Sequence, residues 1–280
     1  MNKKFILNAD DFGMTEAYNK AVLEGYNAGL LGAASLCANG VAFDEAINYV
    51  IPKCPNLSIG VHLNIIEGRS LTYPALLTDE NGDFNNGYIE MILKSYNKKF
   101  LSQVENEFRA QIEKIISKTK VSHIDSHVHT HAIPNIFKIT TKLAQEYDIP
   151  YIRTQCERPY LVPSLSKHFN KKYPPNILKI ILLNTFTMIN KKTARKSRLF
   201  TNDYLIGVGY TGMMDDKTVE YTLKSLENKS YCLAEALIHP CDCEIQDNHY
   251  EEFLITQNEE LKNKIENMGF VISNHCFLEE

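Results

Sequence analysis

The 280-residue sequence lacks several features that mark large classes of proteins. No apolar run approaches the ~20 residues that a transmembrane helix needs, so we expect no stable insertion into a membrane. No fixed-period repeat or low-complexity tract is visible, and a repeat architecture is therefore not expected. The formal net charge is only −4, which gives no general reason to expect a nucleic acid as partner.

The N-terminal segment and the cysteines bear on the compartment. The chain begins MNKKFILNADDFG, whose apolar run is too short for the h-region of a signal peptide, and this predicts a cytoplasmic protein. Seven cysteines, an odd number in a large chain, are expected to be reduced thiols. Cys241 and Cys243 are two residues apart, but no second close pair accompanies them, which argues against a zinc ribbon.

Short apolar segments alternate with amphipathic ones along most of the chain. With 44% hydrophobic residues the chain can bury one large core. Strands are predicted over residues 5–7, 33–37, 57–63, 151–153, 232–238 and 270–273, and helices over 15–28, 43–51, 104–117, 137–147, 218–226 and 251–266. Residues 68–96 are expected to be irregular. The alternation predicts an α/β fold, a parallel sheet or barrel with helices outside.

The segment 160–205 differs from the rest, because an apolar run at 177–183 lies among many lysines and arginines. One interpretation is a basic amphipathic element that touches a membrane surface or an acidic ligand. The other, which we favour, is a helical insertion with a solvated charged face that covers the mouth of the barrel.

The stretch HIDSHVHTH, residues 123–131, concentrates four of the nine histidines. On an extended chain its histidines and Asp125 would all lie on one face, because side chains alternate. A helix would scatter them around its circumference. Neutral imidazole is the commonest metal ligand and titrates near physiological pH. The stretch therefore predicts a strand that runs into a loop and carries metal-binding or proton-transfer chemistry.

Several chemically active residues fall at or just beyond the carboxyl ends of predicted strands, where α/β barrels gather their active sites. They are Asp10, Asp11, His62, His127, Arg153 and His239. One carboxylate with two imidazoles can bind a metal and leave positions open. Neighbouring side chains diverge, so one of the two aspartates is expected on the metal and the other as a base held by Arg153. His239 is a candidate proton donor. Taken singly, each of these residues could instead serve as a cap or as an ordinary polar side chain.

These blocks resemble a known family. NADDFG at 8–13, GVHL at 60–63, HIDSHVHTH at 123–131, YIR at 151–153 and IHP at 238–240 are similar, in this order, to the YdjC-like carbohydrate deacetylases. The resemblance implies a single-domain distorted TIM-like (β/α) barrel that binds one divalent ion and removes the N-acetyl group of an amino sugar. It also suggests a homodimer. Where the family has glycine after the last block, this chain has Cys241.

By position, the resemblance implies that Asp11, His62 and His127 bind the metal, Asp10 is the base and His239 the acid. His129 and His131 lie in the same motif and are candidate substrate contacts. Tyr210 is another candidate, although an aromatic at such a position is more often part of the core.

Three further questions stay open at the level of the sequence. Asp-His-His ligands suit zinc, whereas magnesium prefers oxygen, so the ion is expected to be Mg²⁺ or Zn²⁺. The same residues could hydrolyse another bond, such as a phosphoester or a cyclic amide. A sugar-binding protein without turnover is the alternative from a different class.

Overall fold

The computed structural model describes residues 3–163, 165–168, 170–242 and 247–276, so Cys243 lies outside the described residues. Its strands form one parallel sheet. They are β1 (Lys3–Phe12), β2 (Ala33–Leu36), β3 (Ser58–Leu63), β4 (His123–Ser126), β5 (Tyr151–Ile152), β6 (Tyr204–Ile206), β7 (Leu233–Ile238) and β8 (Phe270–Ile272).

The strands are ordered β5-β4-β3-β2-β1-β7-β6, and β8 pairs with the first residues of β1. The two edges of the sheet approach each other. Tyr151 and Phe200 form a parallel bridge, and the Leu205 amide donates to the Cys156 carbonyl at 2.8 Å. The sheet is therefore curled into a distorted barrel, which confirms the predicted fold class. All its strands run in the same direction, so their carboxyl ends meet at one mouth.

Helices cover the outside of this sheet. They are α1 (Glu16–Ala28), α2 (Phe43–Glu45), α3 (Tyr88–Lys94), α4 (Lys98–Ile116), α5 (Pro134–Glu146), α6 (Leu165–His168), α7 (Tyr173–Lys196), α8 (Asp216–Ser225), α9 (Asn248–Thr256) and α10 (Glu259–Asn267). The helix α1 begins and ends as predicted. The Thr15 hydroxyl accepts a hydrogen bond from the Tyr18 amide, and Gly29 adopts the left-handed conformation, φ 85°, that ends the helix.

The core lies between the sheet and these helices. Nine of the ten residues of β1 are buried, as expected for a central parallel strand. The helix α4 buries Phe100, Val104, Phe108 and Ile112, which recur every four residues and so form one face. Packing of such faces against the sheet fixes the strand ends that carry the polar residues.

Some predicted elements differ from the observed ones. Residues 68–96, predicted to be irregular, contain α3 and two antiparallel bridges, Arg69–Asp83 and Thr78–Phe84. The prediction was wrong there because frequent glycine and asparagine obscure a short helix.

The predicted helix over 251–266 is two helices. The Asn258 side chain accepts from the Leu261 amide and starts α10, so the chain turns between them. The predicted helix over 104–117 begins earlier, at Lys98, because Asn97 caps it.

The segment 160–205 contains α6, α7 and the first residues of β6. Within the described ranges, no helix combines the length and the hydrophobicity that crossing a bilayer requires. Among the described residues, Cys37, Cys54, Cys156 and Cys232 are free thiols. The expectation of a reduced thiol fails at Cys241, which is disulfide-bonded.

Candidate metal centre and active site

The carboxyl end of β1 separates two adjacent carboxylates. The pairing register with β2 shifts between Ala9 and Phe12, and Asp11 adopts the left-handed conformation with φ 62°. A non-glycine residue at positive φ is uncommon and needs support from its surroundings. As a result the Asp10 side chain contacts Arg153, whereas the Asp11 side chain contacts His62 and His127. The two neighbouring carboxylates therefore face different partners, and their assignment as metal ligand and base stays a prediction.

Asp10 is held by a buried guanidinium. Arg153 Nη1 donates to Asp10 Oδ2 and Nη2 to Oδ1, both at 2.8 Å, in a bidentate pair. The same guanidinium contacts Asp125 Oδ2 through Nη2 at 2.6 Å, and Glu235 through Nε. Arg153 is fully buried. Burial alone would lower its pKa, but the three carboxylates outweigh burial and raise the pKa well above its ordinary value.

Asp11, His62 and His127 form a compact cluster. Asp11 Oδ1 lies 3.2 Å from His62 Nε2 and 2.8 Å from His127 Nδ1. One donor atom from each of the three residues lies within 4.8 Å of the others, a spacing that suits ligands of a shared ion. Burial would raise the pKa of Asp11, but the neighbouring imidazoles of His127 and His62 hold it well below the ordinary value. Asp11 is therefore an anion that can bind a cation.

The surroundings of His62 test whether a metal fits. Its Nδ1 lies 2.7 Å from Asp125 Oδ1, and the two residues are partners in the register of β3 and β4. Its buried Nε2 has no hydrogen-bond partner in the described part of the chain. A carboxylate behind one imidazole nitrogen, with the other nitrogen facing the cluster, is the usual arrangement of a metal-bound histidine. Burial would lower the pKa of His62, but Asp125 and Asp11 raise it to about 10, so the cluster favours positive charge.

The turn after β4 positions His127. The strand ends at Ser126, and the 3₁₀ segment His127–Ala132 that follows is kinked at Val128 and His129, whose φ angles of 51° and 59° are not helical. The prediction that all the histidines lie on one strand face was therefore wrong beyond Ser126. His127 is the one that reaches Asp11. Its Nε2 lies 3.1 Å from Glu67 Oε2, whose side chain is 62% exposed.

The two histidines that follow His127 in this motif, His129 and His131, point elsewhere. His131 is fully buried, and its Nδ1 pairs with Ser126 Oγ while its Nε2 lies 3.0 Å from the Arg153 carbonyl. His129 is also buried, and burial lowers its pKa well below the ordinary value. These positions suit the support of His127 and Arg153, and substrate contact by His129 or His131 stays a prediction.

His239, at the end of β7, faces the same mouth. Its Nδ1 lies 3.2 Å from Glu252 Oε2, and this carboxylate of α9 also accepts the His239 amide. Glu252 is buried. Burial would lower the pKa of His239, but the Glu252 carboxylate raises it to about 9. His239 is therefore protonated near neutral pH and can donate a proton.

A cleft of about 470 Å³ lies at this mouth of the barrel. Asp11, His127 and His239 line it, together with Lys172, Pro175, Asn176, Thr211, Gly212, Asn248, His249 and Glu252. Tyr210, a predicted substrate contact, is instead buried beside this wall. It donates to the Tyr160 carbonyl at 2.9 Å and accepts from the Val162 amide at 3.0 Å. The neighbouring Thr211 and Gly212 line the cleft in its place.

The family follows from comparison with known proteins. Residues 4–267 match the family model described as YdjC-like protein. The chain belongs to the YdjC-like family.

Relatives of this YdjC-like protein carry a common name. A protein of Brevibacillus brevis named carbohydrate deacetylase is 35% identical over 149 residues, which span 52% of this chain and 58% of that protein. A carbohydrate deacetylase of Geobacillus stearothermophilus is 31% identical over 180 residues, 64% of this chain and 71% of the relative. The chain thus spans little more than half the length of the first of these relatives.

A solved structure supports the fold. An Enterococcus faecalis protein, described as a candidate cellobiose-phosphate cleavage protein, superposes with a TM-score of 0.77 at 23% identity, over 99% of both chains. At this identity the likeness shows the fold alone, and the whole of the YdjC-like chain shares it.

Sequence reasoning missed three acidic partners in this YdjC-like site. Asp125 and Glu235 hold Arg153, and Glu252 holds His239. Glu235 carried a signal, because it is the acidic residue of an otherwise apolar buried strand, and a buried charge requires a partner. The sequence around Glu252 contained no such signal, because a single acidic residue in an amphipathic helix is common.

Proposed function

We propose that this protein hydrolyses the N-acetyl group of an acetylated amino sugar or chito-oligosaccharide and releases acetate. One observation carries the proposal. A cluster of Asp11, His62 and His127 opens into the cleft, next to Asp10, whose carboxylate accepts two hydrogen bonds from the buried Arg153. The names of the relatives, carbohydrate deacetylase, support the choice of substrate class.

The cluster would bind one divalent ion. Asp11 Oδ1, His62 Nε2 and His127 Nδ1 are the atoms that would hold it, since the other nitrogen of each imidazole faces a carboxylate. Two imidazoles favour Zn²⁺ over Mg²⁺, although purified enzyme could hold either. When bound, such an ion polarises a carbonyl and makes water more acidic.

Asp10 is the base in this proposal. Its carboxylate would accept a proton as water attacks the acetyl carbon. Arg153 donates one hydrogen bond to each Asp10 oxygen, and Oδ2 accepts no other in the described part of the chain, so Oδ2 keeps a lone pair to accept that proton. The Asn8 side chain also donates to Asp10 Oδ1 at 2.8 Å, which fixes the carboxylate further.

His239 is the acid. As the bond between the acetyl carbon and nitrogen breaks, its imidazolium would give a proton to the nitrogen, and the amine leaves neutral. Glu252 orients the ring and favours the charged form before reaction. Water and the acetamide are thereby converted to acetate and a free amino sugar, and the two protein groups exchange their protons with solvent.

A two-metal phosphoesterase is less well supported. A second set of neighbouring donors, Asp10, His62 and Asp125, shares His62 with the first. Both of its aspartates already pair with Arg153, and a cation would compete with that guanidinium. The described residues therefore favour a single ion. They do not favour the pair of ions about 3.5–4 Å apart that two-metal phosphoesterases use.

The decisive experiment is a panel of N-acetylated amino sugars and chito-oligosaccharides, assayed for acetate with and without a chelator. We expect acetate from at least one substrate, loss of release with chelator, and recovery on adding Zn²⁺ or Mg²⁺. A parallel panel of phosphoesters and cyclic amides supplies the comparison. Turnover of either of those compounds without acetate release from any sugar would refute the proposal.

The role of His62 predicts a loss of metal affinity. In titration calorimetry of the metal-free protein with Zn²⁺, His62→Ala should weaken binding at least ~10-fold. Removing a residue that only supports a metal ligand already costs about that much affinity, and removing the ligand itself should cost no less. Asp10→Asn is the matched comparison and should bind Zn²⁺ almost as the parent protein does. Equal affinities for the parent and His62→Ala would remove His62 from the ligand set.

A further inference from the structure

Charge is distributed very unevenly along this chain. Residues 158–202 contain 10 of its 30 lysines and arginines and none of its 34 aspartates and glutamates. The remainder is therefore strongly acidic, although the protein as a whole has a formal charge of only −4. A positive segment of this kind attracts anionic surfaces and repels a like-charged one. Most of the segment is the helix α7.

The helix α7 has an inner and an outer face. The inner face buries Ile180, Leu183, Thr187 and Asn190 against the barrel side, where α7 packs on α5 and the turn His127–Ala132. The outer face carries large apolar side chains that stay exposed: Leu178 at 68%, Ile181 at 53%, Met188 at 67% and Ile189 at 48%. These four recur at helical spacing, so they form one stripe about 16 Å long.

Basic residues continue this stripe at the carboxyl end of α7. Lys192, Arg195 and Lys196 are exposed on the same side. No ion pair joins these three to a carboxylate within the described part of the chain. The face thus combines uncompensated positive charge with exposed apolar surface. We name the set Leu178, Ile181, Met188, Ile189, Lys192, Arg195 and Lys196 the α7 outer face.

We propose that the α7 outer face docks on the surface of an anionic lipid bilayer. Helices that lie in the bilayer interface bury an apolar stripe below the headgroups and place lysine and arginine among anionic lipids. A soluble polyanion would satisfy the charges but would leave four large apolar side chains in water. Two-fold pairing of this face with a second copy would bring basic residues together. The bilayer is the partner that matches both properties.

The position of α7 relates this face to the cleft. Lys172, Pro175 and Asn176 line the cleft, and the outer face starts at Leu178, less than one helical turn further along the chain. Docking would therefore bring one rim of the cleft close to the lipid surface, with α7 lying along the bilayer and no segment crossing it.

Vesicle sedimentation of the full-length protein tests this docking. The parent protein should pellet with vesicles of phosphatidylglycerol and phosphatidylcholine, should not pellet with pure phosphatidylcholine, and should be released by salt. The triple variant Lys192→Gln, Arg195→Gln, Lys196→Gln should lose at least tenfold in partitioning, since each basic residue near such a surface contributes about fivefold. The pair Ile181→Gln, Met188→Gln should lose a comparable factor.

Matched controls lie elsewhere on the surface. The triple change Lys98→Gln, Lys99→Gln, Lys118→Gln removes the same charge, and Ile89→Gln with Leu93→Gln removes exposed apolar residues of α3. The apolar control should bind vesicles like the parent, and the charge control should lose less than the α7 triple. Catalytic rates on a soluble substrate should be unchanged in all four variants.

Three results would overturn the proposal. The parent protein could fail to pellet with anionic vesicles. The double variant Ile181→Gln, Met188→Gln could bind vesicles like the parent, and the face would then be a site for soluble polyanions only. Sedimentation velocity could instead show a dimer that this apolar pair dissociates, and the face would then contact a second copy. Apart from that experiment, the homodimer that the family resemblance suggests stays a prediction.

Discussion

Asp10→Asn is expected to lower kcat for acetate release by about 10²–10⁴, the usual contribution of a positioned general base. The amide keeps the shape of the carboxylate and can still accept a hydrogen bond from Arg153 through its oxygen. It cannot take a proton from water. Because Asp10 contacts Arg153 rather than the cluster of Asp11, His62 and His127, binding of Zn²⁺ should change little. Steady-state kinetics and calorimetry on one preparation measure both quantities.

A comparison at Asp11 separates the two aspartates. Asp11→Asn should lose metal affinity together with rate, and added Zn²⁺ should restore part of the rate. Added metal should restore nothing to Asp10→Asn. If Asp10→Asn kept full turnover on a confirmed substrate, Asp10 would not be the base.

Much of the site could be predicted from the sequence, because its residues follow short apolar runs. A parallel sheet brings the carboxyl ends of its strands to one side, so Asp11, His62 and His239 could be placed at one mouth without knowledge of their distances. The divergence of neighbouring side chains likewise predicted different surroundings for Asp10 and Asp11. In the structure, a positive φ at Asp11 separates the two side chains.

The histidine motif shows where such reasoning fails. Alternation predicts faces only while the chain stays extended, and this chain leaves the strand at Ser126. The local sequence does not predict this departure from the extended conformation, because a β-branched residue such as Val128 is rarely found at positive φ. In the folded protein, contacts from other elements stabilise the turn. Tyr88 Oη, for example, donates to the His129 carbonyl at 3.4 Å.

The buried partners could not be predicted for a different reason. Arg153 meets Asp10, Asp125 and Glu235, which come from three other strands, and only the strand order decides which acids lie beside it. A single cation among three carboxylates is stable only if the geometry is tight, because each buried charge costs several kcal/mol to desolvate. This network therefore ties the position of the Asp10 side chain to the integrity of the barrel.

His239→Ala is expected to lower kcat by about 10²–10⁴, since the amine would then leave without a proton from the protein. Zn²⁺ affinity should be nearly unchanged, because the cluster of Asp11, His62 and His127 does not include His239. The pH profile of kcat should change as well. In the parent protein the alkaline limb should lie near pH 9, where His239 loses its proton. That limb should be absent from the residual activity of the variant, and its persistence there would assign the acid to another group.

Glu252→Gln tests the same assignment without removing the imidazole. The glutamine oxygen can still accept from the His239 amide and ring, so the geometry is kept, but the negative charge that raises the pKa of His239 is lost. The folded-state pKa is raised, so the active protonated form is present below about pH 9 and is lost as pH rises through that value. In Glu252→Gln the alkaline limb should move down toward the ordinary histidine value of about 6.5, and the rate at pH 8.5 should fall ~10-fold or more. Glu251→Gln, an exposed neighbour that pairs with Lys167, is the matched control and should leave the profile unchanged. An unshifted limb in Glu252→Gln would mean that His239 is not the group whose proton the reaction consumes.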